Sequence, residues 1–396
     1  MILCLLEDLH GRKRVLDVPH SGSDNERYKT ATQERNQRMR LLSQPGTLRH
    51  HCDKCVRFIG DRSVSVVVID GITLGHPCCA MHNCHIPLSN NRNRFCDSHV
   101  QHSSICAIVG CSSPVAAPER KTCDHPDHRA VELMHIERGQ SRFQLQERHE
   151  RARLVHPNDS LGVDGTVSES AGQEPPDLDA ETEEFTIAAT ALVPKKLRAQ
   201  FGRKRTHNEQ IIVAPCGMIV SRATFYGAEA VSSVVVSVYY FHLAESFYAI
   251  SHPFLFIQEF VKQTYQALEM MPNHVFFDNN CQLSKVVKHD PFFKNVGLSV
   301  DVFHFKSKHK VTDTYCQQHC NPVQFPELKG EGNKPWYFNS SIAEQTNVWL
   351  GGYLAICREM LVDRYNFFLD EMILRRNRIT LAKLEQSGCK PGTFLL

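Results

Sequence analysis

No run of about 18 consecutive apolar residues occurs in the 396-residue chain, so no membrane-spanning helix is expected. An apolar leader is missing as well: "MILCLLEDLHGRKR" reaches charge at Glu7, which speaks against export and points to a reducing compartment. Net charge is small, formally +2, but its distribution is uneven. From Pro157 to Glu184 there are nine acidic residues and no lysine or arginine, with Pro, Gly and Ser between them. Such a stretch buries little and self-repels, so residues 157–193 read as an acidic flexible linker. It is followed by "PKKLRAQFGRKRTH", with basic clusters at Lys195-Lys196 and Arg203-Lys204-Arg205. That spacing resembles a bipartite nuclear-import signal, suits phosphate contact equally well, and is also what a solvated helix face would present. The length allows two or three domains, and 42% hydrophobic content is ordinary for a globular chain.

What the chain does have is a cysteine pattern written twice. "CAMHNCHIPLSNNRNRFCDSH" begins at Cys79 and "CAIVGCSSPVAAPERKTCDHPDH" at Cys106. Cys79, Cys84 and Cys96 recur as Cys106, Cys111 and Cys123 at an offset of 27, and His99 and His128 follow the third cysteine of each unit. Three thiolates and one imidazole make a four-ligand zinc set. Scattered cysteines are more often buried small hydrophobes or disulfide partners, but scatter does not produce a repeat. The intervening segments are rich in Pro, Asn, Ser and Arg and cannot build a core unaided, so structural Zn²⁺ at two sites is expected to supply their folding free energy. Cys78 and His82 lie beside these ligands and could replace one of them. Arg129–Leu154, mixed in charge and free of proline, reads as a surface helix with Val131, Met134 and Leu145 packed on the cysteine units.

Around the cysteine units lie strand signals. "SVSVVVIDG" is a β-branched run from Ser63 to Ile69 that suits a strand buried on both faces, and it ends in Asp70. "NHVFFDNNC" is a second apolar strand, ending in Asp278. At the carboxyl rim of one sheet the two aspartates would be neighbours, although an aspartate after a strand often does no more than open a turn. "EQIIVAPCG" and "SRATFYG" read as two strands around a Cys216-Gly217 turn, "AEAVSSVVVSV" or "FIQEFVKQTYQALEMM" as a crossover helix, and "GLSVDVFHF" as a further strand. One long helix is expected from about Ser341. It has a core stripe of Trp349, Tyr353, Ile356 and Met360, and a small-residue stripe of Glu344, Val348, Gly351 and Ala355 that would bring Glu344 to the sheet.

Strand, insertion, hairpin, helix, strand with Asp, strand, helix with Glu is the order of a ribonuclease-H-like α/β fold. In "VVIDGITLGHPCC", the doubled cysteine unit, "NEQIIVAPCGMIVSRATFYGAEAV", "FFDNNCQL" and "FNSSIAEQTNVWLGGY", the chain resembles the KDZ (Kyakuja, Dileera and Zisupton) transposases. The likeness is to fungal forms with a transposase-associated cysteine cluster, and it runs from about Leu48 to Asn377. It implies a mixed sheet with an inserted zinc-stapled module and DDE-type cleavage and strand transfer on transposon-end DNA. Asp70, Asp278 and Glu344 would hold two Mg²⁺ or Mn²⁺ ions. It further implies a nuclear protein, able to form a homo-oligomer.

On this reading residues 1–60 are a partly helical N-terminal segment and 61–75 the first strand of the ribonuclease-H-like domain. The double cysteine cluster follows at 76–130, the charged helix at 131–156 and the linker at 157–193. Residues 194–380 complete the ribonuclease-H-like domain, and 381–396 are a tail. "HFKSKHKVTDTYCQQHC" offers a third set of soft ligands, His304, His309, Cys316 and Cys320, with Cys52 and Cys55 as rival ligands. Lys306, Lys308 and Lys310 in the same stretch join the two basic clusters as expected DNA contacts. Residues 238–256 carry one formal charge in 19 and read as a lipophilic insertion or translated intron. Two other functions stand beside the transposase: a catalytically inactive, transposase-derived nuclear zinc protein that binds DNA or protein, and a metal-dependent nuclease without strand transfer.

Overall fold

Four consecutive buried side chains make the strand Arg62–Ile72 the axis of the structure: Val66, Val67, Val68 and Ile69 are all less than a tenth exposed. Alternate residues point to opposite faces of a strand, so Val67 and Ile69 enter one apolar cluster while Val64, Val66 and Val68 enter another. The computed structural model describes residues 1–22, 24–42, 50–81, 84–155, 183–187, 195–226, 254–266, 271–332, 334–389 and 392–393. These fall into two units, one made of Met1–Pro77 with Thr206–Leu396, the other of Cys78–Arg205.

The first unit holds a mixed six-stranded sheet: β1 (Val56–Ile59), β2 (Arg62–Ile72), β3 (Asn208–Val213), β4 (Ile219–Phe225), β5 (His274–Phe277) and β6 (Gly297–Ser299). Its order is β6-β5-β2-β3-β4. β5 runs parallel to both β2 and β6, whereas β3 is antiparallel to β2 and to β4. β1 pairs antiparallel with Arg62–Ser65 of β2, and β3 with Val68–Ile72. The unit also holds helices α1 (Phe254–Gln266), α2 (Asn280–Val286), α3 (Val302–Ser307), α4 (Thr314–His319), α5 (Ile342–Gly351) and α6 (Val362–Gln386), besides N-terminal helices at Ile2–Gly11, Asp24–Arg27 and Lys29–Leu42. Ile257, Phe260, Val261 and Leu283 from α1 and α2 cover one face, joining Val275, Phe277 and Ile212. Ala343, Leu350, Tyr365, Leu369 and Ile373 from α5 and α6 cover the other, joining Phe276, Ile211 and Val213. With both faces covered, the strands read as unbroken apolar runs.

The expected long helix from Ser341 is divided. α5 stops at Gly351, a short helical turn spans Leu354–Cys357, and α6 begins at Val362. Adjacent Gly351 and Gly352 weaken the helix at that point by about 1 kcal/mol each relative to alanine. Its fully buried face is Ala343, Thr346, Asn347 and Leu350. Of the expected core stripe, Trp349, Tyr353 and Met360 pack partly buried against the same cluster, whereas Ile356 is 52% exposed; Val348 of the small-residue stripe is 80% exposed. Gly351 does come close to the sheet, since a Cβ there would lie 3.3 Å from Ile72 Cδ1. The helix reading at "AEAVSSVVVSV" and most of 238–256 lie outside the described residues.

The second unit contains the cysteine repeats, a helix Pro126–Val155 and an antiparallel strand pair, Glu183–Ile187 with Lys195–Ala199. Proline opens that helix five residues before the boundary drawn at 131, as its fixed φ and missing N–H allow at the first helical position. Val131 is fully buried with Cys106, Ile108, Cys123, Phe185 and Phe201, and Met134 packs against the same cluster. Within the expected linker, Glu183–Ile187 is a strand; the rest of 157–193 lies outside the described residues. Glu184 Oε1 lies 2.8 Å from Lys196 Nζ across the pair.

Candidate functional site

Each cysteine unit folds its ligand atoms into one knot. In the first, Cys79 Sγ lies 3.6 Å and Cys96 Sγ 3.3 Å from His99 Nδ1, with Cys84 Sγ 3.7 Å from Cys96 Sγ. In the second, Cys106 Sγ lies 3.6 Å and Cys123 Sγ 3.2 Å from His128 Nδ1, with Cys111 Sγ 3.9 Å from Cys123 Sγ. A sequence repeat has become a repeat of distances. A tetrahedron with Zn–S bonds of about 2.3 Å has S···S edges of about 3.8 Å, so both sets fit the ion. His128 is delivered by the first turn of Pro126–Val155 and His99 by the 3₁₀ turn Asp97–Ser104. Burial pushes the Cys84 thiol up to about 12 and the Cys106 thiol to about 11. Crowded, desolvated thiols hold their protons until a cation replaces them. Both groups could hold zinc. Cys78 stands outside the first group, and His82 lies outside the described residues.

The three carboxylates are carried by the sheet and α5. β2 and β5 are in register through Ile69 and Phe277, so Asp70, still paired with Ile211 of β3, and Asp278, the residue after β5, stand side by side. Asp70 Oδ1 accepts from its neighbour Gly71 N at 2.8 Å, and Oδ2 accepts from Asn347 Nδ2 of α5 at 2.8 Å. Glu344 stands one turn earlier on α5. His304 sits between the acids: its Nδ1 lies 2.8 Å from Asp278 Oδ1 and 3.2 Å from Asp301 Oδ1, and its Nε2 3.1 Å from Glu344 Oε1. Burial raises the Asp278 carboxyl to about 6, with Asp70 and Asp301 adding to the rise and His304 and Lys308 opposing it. Burial also raises Asp70, against the hydrogen bonds from Gly71 and Asn347.

Sequence reasoning misses Asp301, yet it too follows a strand: it stands two residues after β6 and caps α3 by accepting from Phe303 N and His304 N. His304 is displaced from its expected company. The expected set of His304, His309, Cys316 and Cys320 does not form; instead Cys281, His309 and Cys316 converge as a group able to hold a metal. Cys316 Sγ is 3.2 Å from His309 Nδ1, and His309 Nε2 lies 3.0 Å from the Asp278 carbonyl, which accepts its proton. Cys320 lies in the same buried apolar cluster as Cys281 and Cys316. α3 turns His304 toward the acids and leaves His309 beyond its end, so the two histidines serve different places. Cys52 and Cys55 belong to neither set.

The basic residues are dispersed. Lys306, Lys308 and Lys310 are exposed, Lys308 Nζ being 3.9 Å from Asp278 Oδ2. Lys196 is 69% exposed, while Arg203 Nη1 donates to the Asn91 carbonyl at 2.8 Å, and Lys204 and Arg205 are half-buried in a short strand. The second cluster is built into the fold of its unit rather than held on a free tail.

Two tandem Cys₃His groups able to hold metal, one after the other in 50 residues of chain, define a cysteine-cluster module. Residues 68–134 match the family model described as a CxC6 like cysteine cluster associated with KDZ transposases. The matched segment starts inside β2, takes in Asp70, and ends beyond His128. Neither curated proteins nor solved structures give a match.

Proposed function

We propose that the chain is a KDZ-type transposase acting on DNA, with a ribonuclease-H-like catalytic unit and a cysteine-cluster unit held by two zinc ions. The observation that carries the reading is the meeting of Asp70, Asp278 and Glu344 at the carboxyl ends of adjacent parallel strands, in a chain whose cysteine cluster is of the transposase-associated kind. The sheet order β6-β5-β2-β3-β4, with β3 alone reversed against both neighbours, supports the ribonuclease-H-like assignment.

Carboxylates gathered in this way, with Asp70 and Asp278 desolvated, repel one another and suit hard divalent cations. Bound Mg²⁺ or Mn²⁺ there would activate the attacking oxygen and stabilise the leaving one at a scissile phosphate. Asn347 and Gly71 fix the orientation of Asp70. His304 links Asp278 to Glu344, and Lys306, Lys308 and Lys310 attract the phosphate backbone to this rim. Phe303, 61% exposed beside them, offers a ring on which an unpaired base can stack. The DNA partner, nuclear location and self-association belong to this proposal.

Asp278→Asn should abolish nicking of DNA carrying the element's own ends in Mn²⁺, with zinc content and DNA affinity unchanged. Cys111→Ser should release one equivalent of zinc, measured by elemental analysis, and leave the other cysteine unit loaded. A second reading, a binding protein that does not cut, is favoured by His304, which lies between Asp278 and Glu344 where a cation would have to stand. If the unmodified protein binds those ends and never nicks them with either metal, that reading replaces the first.

A further inference from the structure

Outside the cysteine repeats and the carboxylates, His50, Cys52, Cys55 and Cys216 bring four ligand atoms within 4.8 Å of one another. They come from two parts of the chain, residues 50–55 and the turn at Cys216. Cys52 and Cys55 form a tight knuckle in which Cys55 N and Val56 N both donate to the Cys52 carbonyl at 3.0 Å, while Cys52 N donates to Cys55 Sγ at 3.1 Å. That turn places the two sulfurs on one side, 3.5 Å apart. Cys216 sits in the turn between β3 and β4, closed by Gly217 N donating to the Ala214 carbonyl at 2.8 Å, with Gly217 at φ +94° where a side chain would be strained. Its Sγ lies 3.4 Å from His50 Nε2. His50 belongs to a short strand, His50–His51, paired with Gly392–Thr393.

We propose that these four residues bind a further zinc ion, in the first unit and independent of the transposase reading. The donor set is Cys₃His and the edges match those of the two repeats. Packing alone accounts for a buried thiol, but not for three thiols and an imidazole nitrogen meeting across 166 residues of chain. A Cys52–Cys55 disulfide would leave Cys216 and His50 facing each other without a shared partner.

The position gives the ion a task. β1 pairs with β2 from Ser65 back to Arg62, and β3 pairs with it from Val68 onward. Cys55 immediately precedes β1 and Cys216 follows three residues after β3, so one metal would tie the start of one partner of β2 to the end of the other.

The test uses the full chain purified without chelator. Cys216→Ser should lose one equivalent of zinc by elemental analysis, His50→Ala should lose or weaken the same equivalent, and His50→Cys should retain it. In the unmodified protein, Cys52, Cys55 and Cys216 should resist alkylation until a chelator is added. Full zinc content in Cys216→Ser, alkylation indifferent to chelator, or a mass showing a Cys52–Cys55 disulfide would each overturn the site. Should Cys216→Ser fail to fold, the alkylation of the unmodified protein decides. Nicking and the zinc of Cys111→Ser are separate readouts, so this site can fail while the transposase reading stands, and the reverse.

Discussion

His76 shows what burial does to a single titratable group. Its Nδ1 donates to the Pro77 carbonyl at 2.9 Å, its ring packs 4.7 Å from that of Tyr365, and burial pushes it down from 6.5 to about 4, with the Arg222 charge acting in the same direction. A depressed histidine stays neutral in the fold while the unfolded chain takes up a proton. Stability is therefore complete above about pH 6.5, falls as the pH drops towards 4, and changes no further from this group below that. A gap of roughly 2.5 units bounds the loss at about 3 kcal/mol. His76→Gln should lose less stability between pH 7 and pH 4 than the unmodified chain, read from urea midpoints. Among the site residues, Asp70, Asp278 and the eight repeat ligands are legible in the sequence because strand ends and a 27-residue offset are local signals. Cys216 is not: it reads as part of a turn, and His50, which meets it, lies 166 residues away along the chain.

Elements are legible where their pattern is regular. A β-branched run locates β2 and a short apolar run β5, and the hairpin around Cys216-Gly217 forms as β3 and β4. The helix from Ser341 is misread because periodicity alone does not weigh two successive glycines, and because its buried face is set by how β2 approaches it. Glycine matters again where the first unit is interrupted. A Cβ on Gly75 would stand 2.1 Å from the Thr206 carbonyl oxygen, a backbone atom that cannot swing aside. Gly75→Ala should cost roughly 1–3 kcal/mol, the usual penalty for overpacking, measured by chemical denaturation.

For the whole molecule, a formal net charge of +2 says little about partners, whereas the local placing of lysines says more. With Lys306, Lys308 and Lys310 exposed at the carboxylate rim, log affinity for duplex DNA should fall steeply with log salt. Replacing the three lysines with glutamine should reduce that slope by about 0.9 for each phosphate they neutralise, in fluorescence anisotropy across a salt series. A mixed α/β architecture is readable from element order. Which segments share a strand edge is not, because pairing partners such as β2 and β3 are separated by the entire second unit.

That separation has a consequence for how such a chain can change. His76 O accepts from Thr206 N at 2.9 Å, so the chain leaves the first unit and re-enters it at a single point. From the standpoint of the sheet, everything between is a side branch: its contents can lengthen, shorten or be exchanged for another module whose ends lie equally close. Lineages descended from such a protein are thus free to vary the inserted cargo quickly while the strands around Asp70 and Asp278 stay in place.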